Sequence, residues 1–306
     1  MKTRGIGALD VTVVGLGCNN FGTRIDAAAT ARVVRAALDA GVRFFDTADI
    51  YGGGRSEELL GRALGTRRNE ALIATKFGKP MPDGKRGAAP AYVRSAVEAS
   101  LRRLGTEVID LYQLHEPDPS VPIEETLGAL QELVAAGKVR EIGFSNVSAA
   151  QIRQAEDASL RRGTARFASV QNEYSLLDRS AEADVLPECA RRGIAFLPYY
   201  PLASGLLTGK YRRGSRAPEG SRLSGGRYAD ELSDENLRTV EALRAFAESR
   251  GHTLLELAFG WLLAQPAVAS VIAGATRPEQ VQANVAAAGW VLGAEELAAV
   301  DEIVPP

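Results

Sequence analysis

ALIATK (71–76), AYVRSAVEASLRRLG (91–105), IDLYQL (109–114), EETLGALQELVAAG (124–137) and EIGFS (141–145) follow one another, and their alternation decides the fold. The short pieces are apolar and rich in β-branched residues, as strands covered on both faces should be. The longer ones repeat apolar residues at intervals of three and four, the pattern of a helix with one buried face. Each long piece stops at a glycine, Gly105 or Gly137, the residue that most easily adopts the left-handed turn past a helix end.

The same alternation extends in both directions. Strands are predicted at Val11–Gly17, Arg43–Thr47, Ala71–Lys76, Ile109–Leu114, Glu141–Ser145, Ser169–Glu173, Ala195–Tyr199 and Ser270–Gly274. Helices are predicted at Ala28–Ala40, Ser56–Leu64, Ala91–Leu104, Glu124–Ala136, Ala149–Arg162, Asp234–Arg250 and Leu254–Ala264, with Pro278–Ala287 as the last. Gly41, Gly65 and Gly163 end helices in the same manner. Eight strands alternating with helices through right-handed crossovers close into a (β/α)8 TIM barrel of the α/β class. Residues 1–306 are read as one domain, with an N-terminal hairpin closing the bottom. An open doubly wound sheet is the alternative. Its dinucleotide fingerprint is missing, because Gly15-Leu-Gly17 is followed by Cys18-Asn19-Asn20 with no third glycine in place.

Composition narrows the function. The net charge of −2 argues against a nucleic-acid or anionic-lipid partner, which usually needs a basic face. No segment approaches the length of an uninterrupted apolar span, and MKTRGIGALD (1–10) has no apolar leader core. The expectation is a cytoplasmic protein. Cys18 and Cys189 lie far apart with no CxxC or Cys/His cluster, so neither a disulfide framework nor a zinc site is expected. Of 36 basic residues only six are Lys (2, 76, 79, 85, 138 and 210), and the two His are 115 and 252. A Lys or His in a special place therefore carries information. Arg212–Asp230, with four Gly and five Arg, reads as a long loop over the barrel mouth.

In such barrels chemistry gathers where strands end. Strand two delivers Asp46 and, five residues on, Tyr51. Strand three ends on Lys76 and strand four runs into His115. Singly these are ordinary residues; together on three consecutive strand ends they have the composition of a proton-transfer site. A phenol ionises near pH ~10 and is a reluctant acid. A nearby ammonium should lower that value, and a carboxylate can hold the ammonium. Tyr51 would then protonate a carbonyl oxygen while His115 hydrogen-bonds it. His252 is assigned to structure, Glu57 and Glu58 to the first turn of a helix, and Trp261 and Trp290 to packing.

The motifs resemble those of the aldo-keto reductase superfamily over nearly the whole chain. They are Asp46-Thr47-Ala48-Xaa-Xaa-Tyr51-Gly52, Thr75-Lys76, Asp110-Leu-Tyr-Gln-Leu-His115, Gly143-Phe-Ser145-Asn146, Gln171-Asn172-Glu173-Tyr174, Pro201–Tyr211 and Gly274–Asn284. The resemblance implies Asp46, Tyr51, Lys76 and His115 as catalytic residues and a nicotinamide cofactor across the barrel mouth. Ser145, Asn146 and Gln171 would hold the carboxamide and Tyr199 would stack on the ring. Pro201, Leu202, Ser204, Gly205, Leu207, Lys210 and Arg222 would cover the pyrophosphate. Gly274, Thr276, Arg277, Gln280 and Asn284 would take the adenosine end. Gly17, Cys18, Asn19 and Arg24 would line the entrance, with Tyr200 beside the stacking ring.

Two departures from the family pattern matter. Gly274 stands where some members carry a Lys for the 2′-phosphate, so Arg277 or Arg222 must supply that charge. On that basis NADP(H) is preferred to NAD(H). Tyr199-Tyr200 replaces an aromatic-Ser pair. The implied activity is reduction of aldehydes and ketones, with a small-molecule carbonyl or alcohol as the partner. The alternatives are an NAD(P)-dependent sugar or alcohol dehydrogenase and, less favoured, a non-catalytic binding subunit similar to the potassium-channel β-subunits.

Overall fold

The structure, a computed structural model, describes residues 1–224 and 231–306. The last six residues of the loop expected at Arg212–Asp230 lie outside the described residues. The chain opens with an antiparallel hairpin, β1 (Thr3–Ile6) and β2 (Leu9–Thr12), in which Ile6 pairs with Leu9 across a turn at Gly7-Ala8. Strands and helices then alternate. They are β3 (Val14–Gly17), α1 (Ala27–Asp39), β4 (Phe44–Asp46), α2 (Arg55–Leu64), β5 (Leu72–Phe77), α3 (Pro90–Leu104) and β6 (Ile109–Leu114). Next come α4 (Ile123–Ala135), β7 (Val139–Ser145), α5 (Ala149–Arg162), β8 (Ser169–Glu173), α6 (Val185–Arg192) and β9 (Ala195–Tyr199). The chain finishes with α7 (Asp234–Ser249), α8 (Leu254–Ala264), β10 (Val271–Gly274), α9 (Pro278–Ala287) and α10 (Ala294–Ile303).

β3 to β10 form one parallel sheet in the order β10-β3-β4-β5-β6-β7-β8-β9. The ring closes between β9 and the residues leading into β10. There Phe196 N–H donates to the Ala267 carbonyl at 2.7 Å and the Phe196 carbonyl accepts from Ala269 N–H at 2.9 Å. The expected eight-stranded barrel is therefore observed. Among the described residues no helix is long and apolar enough to cross a membrane.

Three details differ from the sequence reading. Val11–Gly17 is two elements, because the chain turns at Val13 from the hairpin into the barrel. α6 was unread: it has only eight residues and holds Pro187 in its first turn, where the missing N–H would have no helical partner anyway. α10 lies beyond the helix expected to be last, and it buries only Val300 fully, so its apolar stripe is faint.

Side chains two apart on a strand share a face. On the inward face Phe44, Ala74, Leu111, Ala195, Leu197 and Ile272 meet Ile6, Leu9 and Val11 of the hairpin and seal the floor. Arg4 fastens that plug by donating to the Leu263 (2.6 Å) and Val268 carbonyls around the end of α8. The Leu263 carbonyl is among the acceptors a helix end leaves unmet. Helices pack on the outer faces, with Trp261 of α8 fully buried against Tyr174, their ring centroids 5.0 Å apart. His252 stacks on Trp290 at 4.0 Å and its Nδ1 lies 3.2 Å from Glu256, a structural role as expected.

Candidate active site

One step further along the same inward faces, apolar side chains give way to polar ones: Asp46 after Phe44, Lys76 after Ala74, Gln113 after Leu111. All three are buried. Lys76 Nζ donates to Asp46 Oδ2 at 2.6 Å and to the Thr47 carbonyl at 2.8 Å. The other carboxylate oxygen of Asp46 accepts from Gln113 Nε2 at 3.2 Å and from Gln171 Nε2 at 3.1 Å. A buried ion pair is tolerable only when its remaining valences are met in this way. Tyr51 follows a short turn from β4, and Lys76 Nζ lies 5.2 Å from its ring centre. The His115 ring stands edge-on to Tyr51, centroids 6.0 Å apart. The structure thus brings together all four residues singled out from the strand ends.

Electrostatics corrects one expectation. Burial raises the Tyr51 phenol above its usual value; Lys76 opposes this, but Asp46 works with burial, and the net shift is upward. The ammonium does favour phenolate, yet its charge is already met by Asp46, so Tyr51 rests protonated. For Lys76, burial acts against the charged form, and Asp46 and Tyr51 outweigh it, leaving the group raised and cationic. Burial first, then Lys76 and Lys79, push His115 down to about 2, so its imidazole is neutral. His115 Nδ1 is buried without a partner, while the His115 carbonyl accepts from Asn146 Nδ2 at 2.8 Å.

These groups stand at one end of a cleft of about 780 Å³. Its walls include Gly17 at the end of β3 with Cys18, Asn19 and Arg24 after it, Ser145 at the end of β7 with Asn146 after it, and Gln171 of β8. Tyr199 to Leu202, Ser204, Gly205 and Lys210 follow from β9, with Arg222 beyond. Gly274, Thr276, Arg277 and Gln280 close the far side. One expected contact is not there: Leu207 sits inside the right motif but is wholly buried in the core. Asn284 is buried one turn further along α9 than the residues of the wall.

The wall is strained where it must be shaped. Asn146, Tyr200, Ala203 and Ser204 all have positive φ (58°, 49°, 43° and 53°), a costly state for residues other than glycine. The Asn146 amide is held on both sides, its Oδ1 accepting from Tyr199 Oη at 2.9 Å. At Gly205, with φ +103°, a Cβ would lie 3.1 Å from Lys210 Nζ, so glycine makes room for that ammonium. Arg24 donates to the Gly220 carbonyl (2.8 Å) and Arg222 to Asn20 Oδ1 (3.1 Å), tying the loop before residue 224 across the mouth. Asn20 lies against Gly274, so Arg222 brings its charge to the place where the expected lysine is missing. Gln280 is partly occupied: its Oε1 caps α9, accepting from the N–H groups of Thr276 (2.7 Å) and Arg277 (3.2 Å).

Sequence reading missed Gln113 and Asp49. Gln113 was legible, standing midway between Leu111 and His115 on the inward face. Asp49 is buried two residues before Tyr51, with Oδ1 unpartnered. Glu57 stands in the first turn of α2 as expected, and it is fully buried there against Arg103 and Thr75.

A family model described as the Aldo/keto reductase family matches residues 13–305. A protein of Glycine max named probable aldo-keto reductase 1 is 38% identical over 277 residues, 89% of this chain and 78% of its own length. A protein of Arabidopsis thaliana named probable voltage-gated potassium channel subunit beta is 37% identical over 297 residues, 94% of this chain and 90% of its own. Among solved structures, the glycerol dehydrogenase of Gluconobacter oxydans superposes with a TM-score of 0.85 at 34% identity, covering 99% of this chain and 94% of that one. The holo form of an aldo-keto reductase from Bacillus halodurans gives 0.83 at 34% identity, covering 99% and 96%. The chain belongs to the aldo/keto reductase family, whose members are oxidoreductases that act on small molecules with nicotinamide cofactors.

Proposed function

We propose that the chain reduces aldehyde or ketone carbonyls to alcohols with NADPH, with Tyr51 as general acid. The observation that carries this reading is the pairing of a protonated phenol with a neutral imidazole at one end of the cleft, above an ammonium locked to a carboxylate. Both Tyr51 and His115 are then in forms that donate a hydrogen bond to a carbonyl oxygen, which is where negative charge develops. When bound, the nicotinamide supplies the hydride.

The residues divide the remaining work. Tyr51 gives its proton to the substrate oxygen, a step that typically contributes about 10²–10⁴-fold. Lys76, fixed by Asp46 and the Thr47 carbonyl, stays charged and meets the phenolate left behind. His115, being neutral, orients the carbonyl without competing as an acid. Ser145, Asn146 and Tyr199 form a linked polar surface suited to a carboxamide and a planar ring. The cations Arg24, Lys210, Arg222 and Arg277 share a wall with the N-terminus of α9, a donor set that fits a dinucleotide phosphate. We further propose that residues 1–306 act as one barrel domain.

Arg222 is the support for NADP(H). In a fluorescence titration NADPH is expected to bind more tightly than NADH. Arg222→Ala should weaken NADPH by roughly 10- to 100-fold, the worth of one hydrogen bond to a charged group, and leave NADH nearly unchanged. A tenfold preference for NADH would overturn the assignment. Oxidation of an alcohol or polyol by the same residues is a second reading, favoured by the likeness to the Gluconobacter oxydans glycerol dehydrogenase. A panel of carbonyls and polyols, followed by nicotinamide absorbance, separates the two.

A further inference from the structure

On the outer side of the barrel wall, directly behind Tyr51, lies a second buried ionic cluster that the proposed chemistry leaves unused. Thr75 and Tyr112 point outward from β5 and β6, away from the cleft and toward α2 and α3. Glu57, in the first turn of α2, is completely buried there. Its Oε1 accepts from Thr75 Oγ1 at 2.6 Å and its Oε2 from Arg103 Nε at 2.6 Å. Arg103 reaches in from α3 past Gly54, where a Cβ would come within 2.7 Å of the arginine Cδ. Beside this pair sits Asp49, 1% exposed, with Oδ1 unpartnered. The Tyr112 hydroxyl is likewise buried without a partner, its ring stacked on Phe77 at 4.7 Å.

The charges do not balance if both acids ionise. Glu57 faces Asp49 from α2, Arg103 and Tyr92 from α3, Lys76 from β5 and Tyr112 from β6. Arg103 is committed to Glu57 and Lys76 to Asp46. Asp49 is left with no cation of its own, and an uncompensated buried carboxylate is costly. Asp49 is also coupled to the catalytic group. Its N–H donates to the Lys76 carbonyl at 3.1 Å, and it lies two residues before Tyr51.

Resting on the assignment of Tyr51 as the acid, we infer that Asp49 is a positioning residue, which in its protonated form keeps the 47–51 turn seated against Lys76. Loss of that proton places a second carboxylate beside Glu57 and displaces the turn that presents Tyr51. Burial, then Glu57, raise the Asp49 carboxyl to about 7, against the opposing pull of the Ile50 N–H, Arg103 and Lys76. The loosening therefore falls in the neutral range. An unfolded aspartate ionises near pH ~3.9, so between there and about 7 the folded chain holds a proton that the unfolded chain has lost. Stability should fall as pH rises through that window.

Three measurements test this on the full chain. In wild type, infrared spectra should show a protonated-carboxyl band that disappears as pH rises through about 7. Asp49→Asn should remove that band and flatten the decline of urea stability between about pH 4 and pH 7. It should also remove a step near neutrality from the pH profile of kcat, while KM for NADPH is unchanged. Glu57→Gln takes away the like charge and should move the step down by about one pH unit. A wild-type spectrum with no such band overturns the inference even if Asp49→Asn fails to fold. An Asp49→Asn chain that keeps the wild-type kcat profile and stability slope overturns it as well. Tyr51→Phe should retain the Asp49 band, so failure of Tyr51 as the acid is read separately.

Discussion

The two ends of β4, β5 and β6 carry opposite chemistry within one pleat repeat. At the floor, Phe44, Ala74 and Leu111 meet the hairpin residues Ile6, Leu9 and Val11 in an apolar layer. One inward position further on, Asp46, Lys76 and Gln113 form a layer held by hydrogen bonds and one ion pair. The floor is stabilised by area removed from water, which tolerates exchange of one aliphatic for another. The mouth is held by specific partners, each of which leaves a buried charge or dipole exposed if it is lost. Stability and activity should accordingly separate along a single strand.

The sharpest way to break that contrast is Lys76→Met. It leaves Asp46 buried with only the two glutamine amides, so unfolding in urea should show a loss of about 3–5 kcal/mol, and reduction should fall to background. If stability is unchanged, Asp46 is not ionised in the resting protein and the polar layer needs a different account. Ile6→Ala is the complement at the floor. A fully buried isoleucine truncated to alanine should cost about 2–5 kcal/mol while kcat/KM stays within about twofold of wild type. A large fall in kcat/KM at the permissive temperature would show that the plug and the catalytic layer are mechanically linked.

Much of this was legible before any coordinates. β6, β8, β9, α5, α8 and α9 lie where periodicity and their flanking glycines and caps put them, because each has a clear buried face and a clear stop. Asp46 and Lys76 were legible for the same reason, since inward strand positions are fixed by a period of two; Tyr51, in the turn after β4, was legible only from its motif. What escaped had weak local signals. The turn at Val13 joins two strands that are both largely buried, so no polar residue marks the break. Leu207 belongs to a motif whose neighbours line the cleft, and only packing shows which way its side chain points. The direction of the Tyr51 shift was misjudged because the sequence places an ammonium near the phenol without showing that Asp46 already neutralises it. Asp49 and Glu57 look like ordinary loop and helix-start acids until α3 is laid over them and Arg103 arrives from 46 residues away.

Proton delivery by Tyr51 is tested most directly by Tyr51→Phe. The substitution removes one hydroxyl and leaves the ring against Lys76 and His115. Single-turnover reduction of a generic aldehyde by NADPH should slow by about 10²–10⁴-fold, with NADPH affinity by fluorescence unchanged. A Tyr51→Phe enzyme that keeps more than about a tenth of the wild-type rate would contradict the assignment, since general acid catalysis of that size cannot be lost unnoticed.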